Sequence, residues 1–295
     1  MFAGSFVALV TPMESDGGLA LDAFDRLLDW HLESGTNGIV IAGTTGESAT
    51  LTIEETRALV ERTVKRIDGR VPVIAGSGTN STAATIERSR QMAEAGADAC
   101  LIVTPYYNKP TQEGLYRHYQ AIEAQCPAPI LLYNVPGRTC CDMLPETVAR
   151  LAELKGIVGV KEATAGDQRA REIRALCGDD FAIFSGDDQT ALECMAAGAD
   201  GVISVTANLA PQLFGKMCAL VKAGKLAEAR EIDETLSLLH RDLFVEANPI
   251  PAKWALHRMG LIPDGLRLPL TPLAAEYHEI VELAMEHADI DGVNE

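Results

Sequence analysis

The sequence predicts an α/β fold, a (β/α)8 TIM barrel with a C-terminal helical extension. Eight short apolar runs alternate with amphipathic segments of helical length. A pattern of helix, stop glycine, polar step and apolar run recurs at Gly35, Gly96 and Gly198. The length of 295 residues suits a single barrel. A doubly wound open sheet is the alternative, but no G-x-G-x-x-G motif follows the first predicted strand.

The eight predicted strands are the apolar runs SFVALV, GIVIA, VPVIA, ACLIV, ILLY, IVGV, FAIF and GVIS. In chain order they span residues 5–10, 38–42, 71–75, 99–103, 130–133, 157–160, 181–184 and 201–204. Hydrophobic periodicity predicts helices between them, for example over residues 53–67 and 144–154. Strand patterns stop near residue 224. We therefore expect residues 1–224 to form the barrel with the catalytic site, and residues 225–295 to pack on it as extra helices.

Composition and charge argue against several classes of function. The 42 acidic and 25 basic residues give a net charge of −17, whereas a protein that binds nucleic acid or an anionic membrane needs a basic face. The N-terminus lacks the basic region of a signal peptide, and no apolar run reaches membrane-spanning length, so we expect a cytoplasmic protein. The seven cysteines form no C-x-x-C pair. Cys140 and Cys141 are predicted to be packing residues, with a reactive thiol as the alternative.

The sixth apolar run ends in a lysine, and strand alternation predicts where its side chain points. If Val158 and Val160 face the surrounding helices, then Ile157, Gly159 and Lys161 face the barrel axis. In such barrels the chemistry takes place at the carboxyl ends of the strands. Lys161 is therefore expected in the mouth of the barrel, where the glycine below it leaves room for its long side chain.

Tyr133 ends the fifth run and is expected beside Lys161, because strands five and six are neighbours in a barrel. Desolvation disfavours the ammonium form of a lysine, and the free amine attacks carbonyl carbon. The alternative is an inward-facing lysine paired with Glu47 or Glu162. The Tyr133 phenol and two threonines at the same rim favour the chemical interpretation.

Three more residues at the strand ends suit carboxylate groups. Thr44 and Thr45 lie between glycines just before a helix, where hydroxyls and backbone N–H groups can hold a carboxylate. An ordinary turn and helix cap would explain the same pattern. Arg138 follows a Pro-Gly pair at the same rim, and its guanidinium suits a second carboxylate.

No metal site is expected. The six histidines show neither H-x-H nor H-E-x-x-H spacing. The seventh run is followed by SGDD, and carboxylates at Asp187 and Asp188 would repel the phosphate group that many barrels bind there. A reactive lysine without metal or phosphate indicates imine formation with a keto acid, without a cofactor.

Six motifs in order, GTTGES, TPYYNKP, YNVPGRT, GVKEAT, SGDD and GVISV, together resemble the dihydrodipicolinate synthase family of Schiff-base pyruvate aldolases. The resemblance spans essentially the whole chain and includes the late segment FVEANPIPAKWAL. It implies a lyase that condenses pyruvate with L-aspartate 4-semialdehyde in the diaminopimelate and lysine pathway.

The resemblance also implies roles for single residues. Lys161 would form the Schiff base, and Tyr133 would move protons through Thr44 and a Tyr107 contributed by the neighbouring subunit. The substrates would be held by Thr45, Gly186, the backbone around Ile203, and Arg138. A residue borrowed from another chain implies at least a dimer. A tetramer is also expected, although Asp167 stands where several tetrameric relatives carry an apolar residue.

A second site, at which lysine inhibits some relatives, would be degenerate in this chain. The resemblance places four of its residues at Ser48, Ala49, Asn80 and Tyr106. Where those relatives have histidines and a glutamate, this chain has Ile53, Thr56 and Ala84. Without the glutamate, the ammonium group of lysine lacks a charged partner. We therefore expect weak or absent feedback inhibition.

Two other functions stay open at this point. An N-acetylneuraminate lyase, of the same superfamily, would share Lys161, Tyr133 and the GTTGE turn. Arg138 directly after YNVPG and the pair Tyr106-Tyr107 favour the synthase over that lyase. A barrel that binds a small carboxylate without turnover would form no covalent adduct on Lys161.

Overall fold

The computed structural model describes residues 2–292, which contain a closed barrel of eight parallel strands. The strands are β1 Gly4–Ala8, β2 Gly38–Ile41, β3 Val73–Gly76, β4 Ala99–Val103, β5 Ile130–Asn134, β6 Ile157–Glu162, β7 Ala182–Ser185 and β8 Gly201–Ser204. They pair in chain order, and β8 pairs with β1 to close the barrel. All eight predicted strands are confirmed to within two residues at each end, and the closed order excludes an open doubly wound sheet.

Helices follow the strands and surround the barrel. They are α1 Leu21–Glu33, α2 Ile53–Ile67, α3 Thr82–Glu94, α4 Gln112–Glu123, the short α5 Pro136–Thr139, α6 Pro145–Ala152, α7 Gln168–Cys177, α8 Ala191–Ala196 and α9 Pro211–Lys222. The extension adds α10 Leu226–Asp242, α11 Ile250–Arg258 and α12 His278–His287. Helix α10 packs against both α9 and α12, so the extension continues the outer layer. In residues 2–292 we find no helix long and apolar enough to cross a membrane.

Local sequence signals determine where helices begin and end. Thr52 and Glu55 form a capping box at the start of α2, in which each side chain accepts a hydrogen bond from the other residue's N–H, at 3.1 and 2.9 Å. The stop glycines Gly35, Gly96 and Gly198 have φ angles of 78°, 94° and 111°. Residues with a Cβ rarely adopt this left-handed region, so glycine is needed where each helix turns towards the next strand.

Two apolar cores stabilise the barrel. The larger core lies between the strands and the surrounding helices and includes Leu27, Leu132 and Phe214. The smaller core fills the inside of the barrel with the buried side chains of Phe6, Ala8, Val40, Ile74, Ala99, Leu101, Leu131, Tyr133, Val135, Ala182, Phe184 and Ile203. The interior is therefore a packed core and not an open channel, and in barrels of this kind the chemistry takes place at the carboxyl ends of the strands.

Strand β6 departs from simple alternation. Consecutive residues of β5 pair with Ile157 and then with Gly159, so Val158 is the extra residue of a bulge. Ile157 therefore packs in the outer core, whereas Val158 packs against the interior cluster. The prediction of an inward Ile157 and an outward Val158 is wrong, because the bulge shifts the alternation there. Beyond the bulge, Gly159 and Lys161 face inward as predicted.

Candidate active site

Lys161 and Tyr133 lie side by side at the carboxyl ends of β6 and β5. The two residues are register partners, and Lys161 Nζ lies 4.6 Å from the centre of the Tyr133 ring. Lys161 is 6% exposed and Tyr133 is 7% exposed. The amine is therefore held against an aromatic face with little access for water, where the sequence placed it.

Two glycines allow close packing around β6: Gly186 lies against the lysine side chain, whereas Gly159 lies against Ala182 and Leu131. A Cβ on Gly186, in the loop after β7, would lie 2.8 Å from Lys161 Cε. A Cβ on Gly159 would lie 2.4 Å from the carbonyl oxygen of Ala182. Both distances are too short for a larger residue unless its neighbours move. Gly186, a predicted substrate-binding residue, thus borders the lysine directly.

Neither of the two carboxylates considered as partners for Lys161 pairs with it. Glu47 pairs instead with Lys253, at 2.5 Å between Oε1 and Nζ. Glu162 accepts hydrogen bonds from Asn134 Nδ2 at 3.0 and 3.2 Å, and burial raises the pKa of its carboxyl. Within residues 2–292, Lys161 forms no ion pair. The ion-pair interpretation is wrong, and the amine is available to a ligand.

Thr44 and Thr45 follow β2 and have different surroundings. Thr44 and Tyr133 line one cavity of about 40 Å³, yet in the described part of the chain no hydrogen bond joins their hydroxyls. Thr45 is buried, and its Oγ1 accepts a hydrogen bond from Asn248 Nδ2 at 2.9 Å. Two members of the predicted proton relay, Thr44 and Tyr133, thus line the same cavity, but their hydroxyls are not hydrogen-bonded to each other.

Arg138 and Ile203 lie at different depths of the mouth. Arg138 is exposed in α5, and its Nη2 donates to the backbone carbonyl of Asn248 at 3.3 Å. Ile203 is 1% exposed and belongs to the interior cluster. The guanidinium thus stands at the entrance, while the backbone at Ile203 lies near the floor.

Tyr106 and Tyr107 lie on the loop after β4. Tyr107 is 87% exposed with a φ of 76°, and Tyr106 is 40% exposed. A left-handed backbone is unusual for an aromatic residue. Among residues 2–292, the Tyr107 side chain has no hydrogen-bond partner. Two neighbouring aromatic residues exposed in this way are typical of a contact surface.

The remaining predicted effector residues are near the start of α2 and α3. Ser48 lines the same small cavity as Thr44, and Ala49 is exposed next to it in the chain. Asn80 lies just before α3, and its carbonyl oxygen accepts a hydrogen bond from Asn108 Nδ2 at 2.8 Å.

Sequence patterns did not point to Arg88, on α3. Its side chain lines the cavity beside Thr44 and also a narrow cleft with Ile53 and Thr56 of α2. Arg88 is half-buried, and among residues 2–292 it has neither a hydrogen-bond nor an ion-pair partner. It therefore places an unpaired positive charge next to Ile53 and Thr56.

The two aspartates after β7, Asp187 and Asp188, accept hydrogen bonds from neighbouring loop residues. Asp188 is 2% exposed, and its Oδ2 accepts hydrogen bonds from the backbone N–H groups of Val205 and Thr206 at 2.9 and 2.8 Å. Asp187 Oδ2 accepts from the Thr190 hydroxyl at 2.6 Å. The expectation that both carboxylates repel a phosphate in the mouth is therefore wrong for Asp188, which is turned towards the loop after β8. Residues 2–292 contain no cluster of three metal-ligating side chains.

The adjacent cysteines differ in burial. Cys141 is buried, as predicted, and burial raises the pKa of its thiol. Cys140 is exposed with a φ of 54° at the end of α5, so the prediction of a packing role is wrong for it. The helix ends in a left-handed residue, which turns this side chain towards solvent.

Comparisons with known proteins agree over nearly the whole chain. A family model described as the Dihydrodipicolinate synthetase family matches residues 1–288. A 4-hydroxy-tetrahydrodipicolinate synthase from Methylococcus capsulatus is 57% identical over 290 residues, 98% of this chain and 100% of the relative. The chloride-inhibited dihydrodipicolinate synthase from Acinetobacter baumannii, solved with pyruvate, has a TM-score of 0.97 and 49% identity, covering 98% of this chain and 100% of that one. A monomeric dihydrodipicolinate synthase variant has a TM-score of 0.96 and 43% identity, covering 98% and 97%.

Proposed function

The chain belongs to the dihydrodipicolinate synthetase family, and we propose that Lys161 is the residue on which it forms a Schiff base with pyruvate. The position of Lys161 Nζ, 4.6 Å from the Tyr133 ring in a nearly closed pocket, carries this proposal. A buried amine without a carboxylate partner in residues 2–292 can react with a carbonyl group.

The chain is a lyase with the activity of a 4-hydroxy-tetrahydrodipicolinate synthase. It condenses pyruvate with L-aspartate 4-semialdehyde in the biosynthesis of diaminopimelate and lysine. Full-length relatives at 53–57% identity carry this activity in their names, which favours the synthase over an N-acetylneuraminate lyase or a barrel without turnover.

In the proposed reaction, the Lys161 amine attacks the keto carbon of pyruvate, and water leaves as the C=N bond forms. Loss of a proton from the methyl carbon gives an enamine, whose carbon adds to the aldehyde carbon of the second substrate. The amino group of that substrate then attacks the imine carbon and displaces Lys161 as the free amine. The covalent imine withdraws electrons from the methyl carbon of pyruvate and so activates it, and the proposed reaction includes no metal or cofactor.

Tyr133 is proposed to move the protons of these steps. A phenol can give a proton to the departing water and take one from the methyl carbon. Its position beside Lys161, with Thr44 on the same cavity, supports this role. Tyr107 of the partner subunit would complete the relay, because Tyr107 is 87% exposed and has no partner for its hydroxyl in residues 2–292.

The substrate carboxylates are proposed to bind at two depths. The pyruvate carboxylate would be held near Lys161 by the buried Thr45 hydroxyl, with Gly186 and the backbone at Ile203 beside it. The semialdehyde would arrive second and place its carboxylate on Arg138 at the entrance. This order matches the chemistry, in which the imine must form before the aldehyde is attacked.

The smallest complete unit is proposed to be a homodimer, with a tetramer built as a dimer of dimers. The exposed pair Tyr106 and Tyr107 supports a contact between copies. A monomeric variant among the relatives indicates that the fold alone does not set the assembly. A cytoplasmic location is proposed because all seven cysteines are free, which is usual in a reducing compartment.

Lysine is proposed to inhibit weakly or not at all. Ile53, Thr56 and Ala84 offer no charged partner for its ammonium group. The structure adds a second reason, because Arg88 brings a positive charge to the cleft at Ile53 and Thr56 and would repel a bound ammonium.

Borohydride reduction in the presence of pyruvate tests the central proposal. The expected product carries the three-carbon unit on Lys161, located by mass spectrometry of peptides. Lys161→Ala is expected to abolish both the adduct and turnover. An adduct on another lysine, or full turnover in Lys161→Ala, would contradict the proposal.

A further inference from the structure

The C-terminal extension is attached to the loop that carries Thr45. Lys253, on α11, forms an ion pair with Glu47 of that loop, with 2.5 Å between Nζ and Oε1. The two side chains are 2% and 0% exposed. The backbone N–H of Arg267 donates to the other carboxylate oxygen, Oε2, at 3.3 Å. Both oxygens of Glu47 are thus bound by the extension.

Stability alone does not explain this buried pair. Two charges lose their hydration when they are buried, so apolar residues of similar size are often at least as stable. Burial lowers the pKa of Lys253, and Glu47 opposes that effect. Glu47 also has a φ of 57°, in the left-handed region that few residues with a Cβ adopt. A costly pair on a constrained backbone, two residues from Thr45, indicates that the shape of this loop matters for function.

Asn248 connects the same helix to both carboxylate-binding positions. Its Nδ2 donates to Thr45 Oγ1 at 2.9 Å, and its carbonyl oxygen accepts from Arg138 Nη2 at 3.3 Å. Because Thr45 Oγ1 already accepts a hydrogen bond, its own proton is left to donate, as a carboxylate ligand requires. Asn248 stands two residues before α11, the helix that carries Lys253.

We propose that the Lys253–Glu47 pair positions the carboxylate-binding side of the active site. The pair fixes α11 against residues 43–48, and Asn248 then holds Thr45 and Arg138 at a set separation. Lys253 and Glu47 act through these residues and are positioning residues, not catalytic ones. The inference rests on the proposed roles of Thr45 and Arg138.

Borohydride trapping of the Lys161 adduct tests the inference without the second substrate. The measured quantity is the ketone concentration that gives half-maximal trapping, for pyruvate and for methyl pyruvate, an ester without the carboxylate charge. Lys253→Met is expected to raise the half-saturating concentration of pyruvate about tenfold, the effect of losing one hydrogen bond to a charged group. The half-saturating concentration of methyl pyruvate should stay unchanged. General loss of structure would affect both ketones alike.

Two further variants keep the test decisive. Lys253→Met leaves Glu47 buried and unpaired, so the single variant can fail to fold. The double variant Lys253→Met with Glu47→Met replaces the pair by apolar side chains, and we expect it to fold and to keep the raised value for pyruvate. Arg174→Met is the control at the amino end of the barrel, because it breaks the less buried Arg174–Asp200 pair, 2.7 Å apart, together with hydrogen bonds from Arg174 to backbone carbonyls. Arg174→Met should leave the half-saturating concentration of pyruvate unchanged.

A wild-type half-saturation for pyruvate in the folded double variant would overturn the inference, as would an equal rise in Arg174→Met. The absence of any adduct on Lys161 in the unaltered protein would instead overturn the proposed function. The two failures are therefore distinguishable.

Discussion

Lys161 is a candidate nucleophile because of its surroundings, and only part of those surroundings could be predicted from the sequence. Strand alternation and barrel closure were enough to place Lys161 beside Tyr133. The same alternation failed at Ile157 and Val158, because a bulge depends on the register of the neighbouring strand and leaves no signal in a short apolar run. The lysine was placed correctly because the strand regains its alternation beyond the bulge.

Gly186→Ala is expected to lower kcat by displacing the lysine. The added Cβ would lie 2.8 Å from both Lys161 Cε and Ala163 Cβ, and the flexible lysine side chain is expected to shift. A misplacement of about 1 Å can cost about a hundredfold in rate. Steady-state kinetics measures the effect, and a denaturation midpoint shows whether the fold is kept.

Gly137→Ala is the matched control at the same rim. A Cβ there would meet no atom within 4 Å, and no left-handed φ opposes it. Its kcat should stay within about twofold of the original value. Equal losses in the two variants would show that crowding of Lys161 is not the cause.

Helices and strands were predicted well because their signals are local. The capping box at Thr52 and the stop glycine Gly35 lie within a few residues of the ends that they define. The cleft between α2 and α3 was not predictable in this way, because it depends on how two helices pack. Arg88 lines that cleft with Ile53, although the two residues are far apart in the sequence.

Millimolar lysine is expected to leave the initial rate nearly unchanged. Arg88 repels an ammonium group in the cleft, and Ala84 offers it no charge. The double variant Arg88→Leu with Ala84→Glu should become measurably sensitive, because it removes the repulsion and supplies a carboxylate. Initial rates with and without lysine test both statements, and strong inhibition of the unaltered protein would contradict the first.

Acid is expected to destabilise the fold through two buried histidines, His31 on α1 and His118 on α4. Burial lowers the pKa of His31 from 6.5 to about 3 and that of His118 to about 4. As the pH falls below 6.5, these histidines take up protons in the unfolded chain but stay neutral in the folded one. Their contribution to the free energy of unfolding is therefore complete above pH 6.5 and decreases as the pH drops towards 4 and 3. Each histidine contributes about 1.4 kcal/mol per pH unit in that range.

His31→Asn should remove the contribution of His31 to the pH dependence of the free energy of unfolding. An amide can keep a hydrogen bond to the Thr36 hydroxyl, which lies 3.0 Å from His31 Nδ1, but it does not titrate. The free energy of unfolding, measured with urea at pH 5.0 and 6.5, should differ less in this variant. His287→Asn changes an exposed histidine and should leave the difference as it is; equal pH dependence in all three proteins would refute the explanation.

The C-terminal helices contact the barrel loops through side chains that only the folded structure brings together. We propose that residues 225–295 are an extension of the barrel of residues 1–224 and not a separate domain. The Lys253–Glu47 pair joins positions 206 residues apart, and no local pattern predicts such a pair. The segment FVEANPIPAKWAL contributed to the family resemblance, but its Asn248 and Lys253 acquired a physical role only through contacts with Thr45 and Glu47.

Assembly is expected to complete the active site, and mixing two inactive variants tests this directly. Lys161→Ala lacks the proposed nucleophile, and Tyr107→Phe lacks the hydroxyl that the partner subunit is proposed to supply. In a mixed dimer, one site combines an intact Lys161 with the partner's intact Tyr107. With random exchange, half of the dimers are mixed and each has one intact site, so activity should recover to about a quarter of the original value. If Tyr107 served its own chain, every site would lack one group and no activity would return on mixing, whatever the oligomeric state measured by sedimentation.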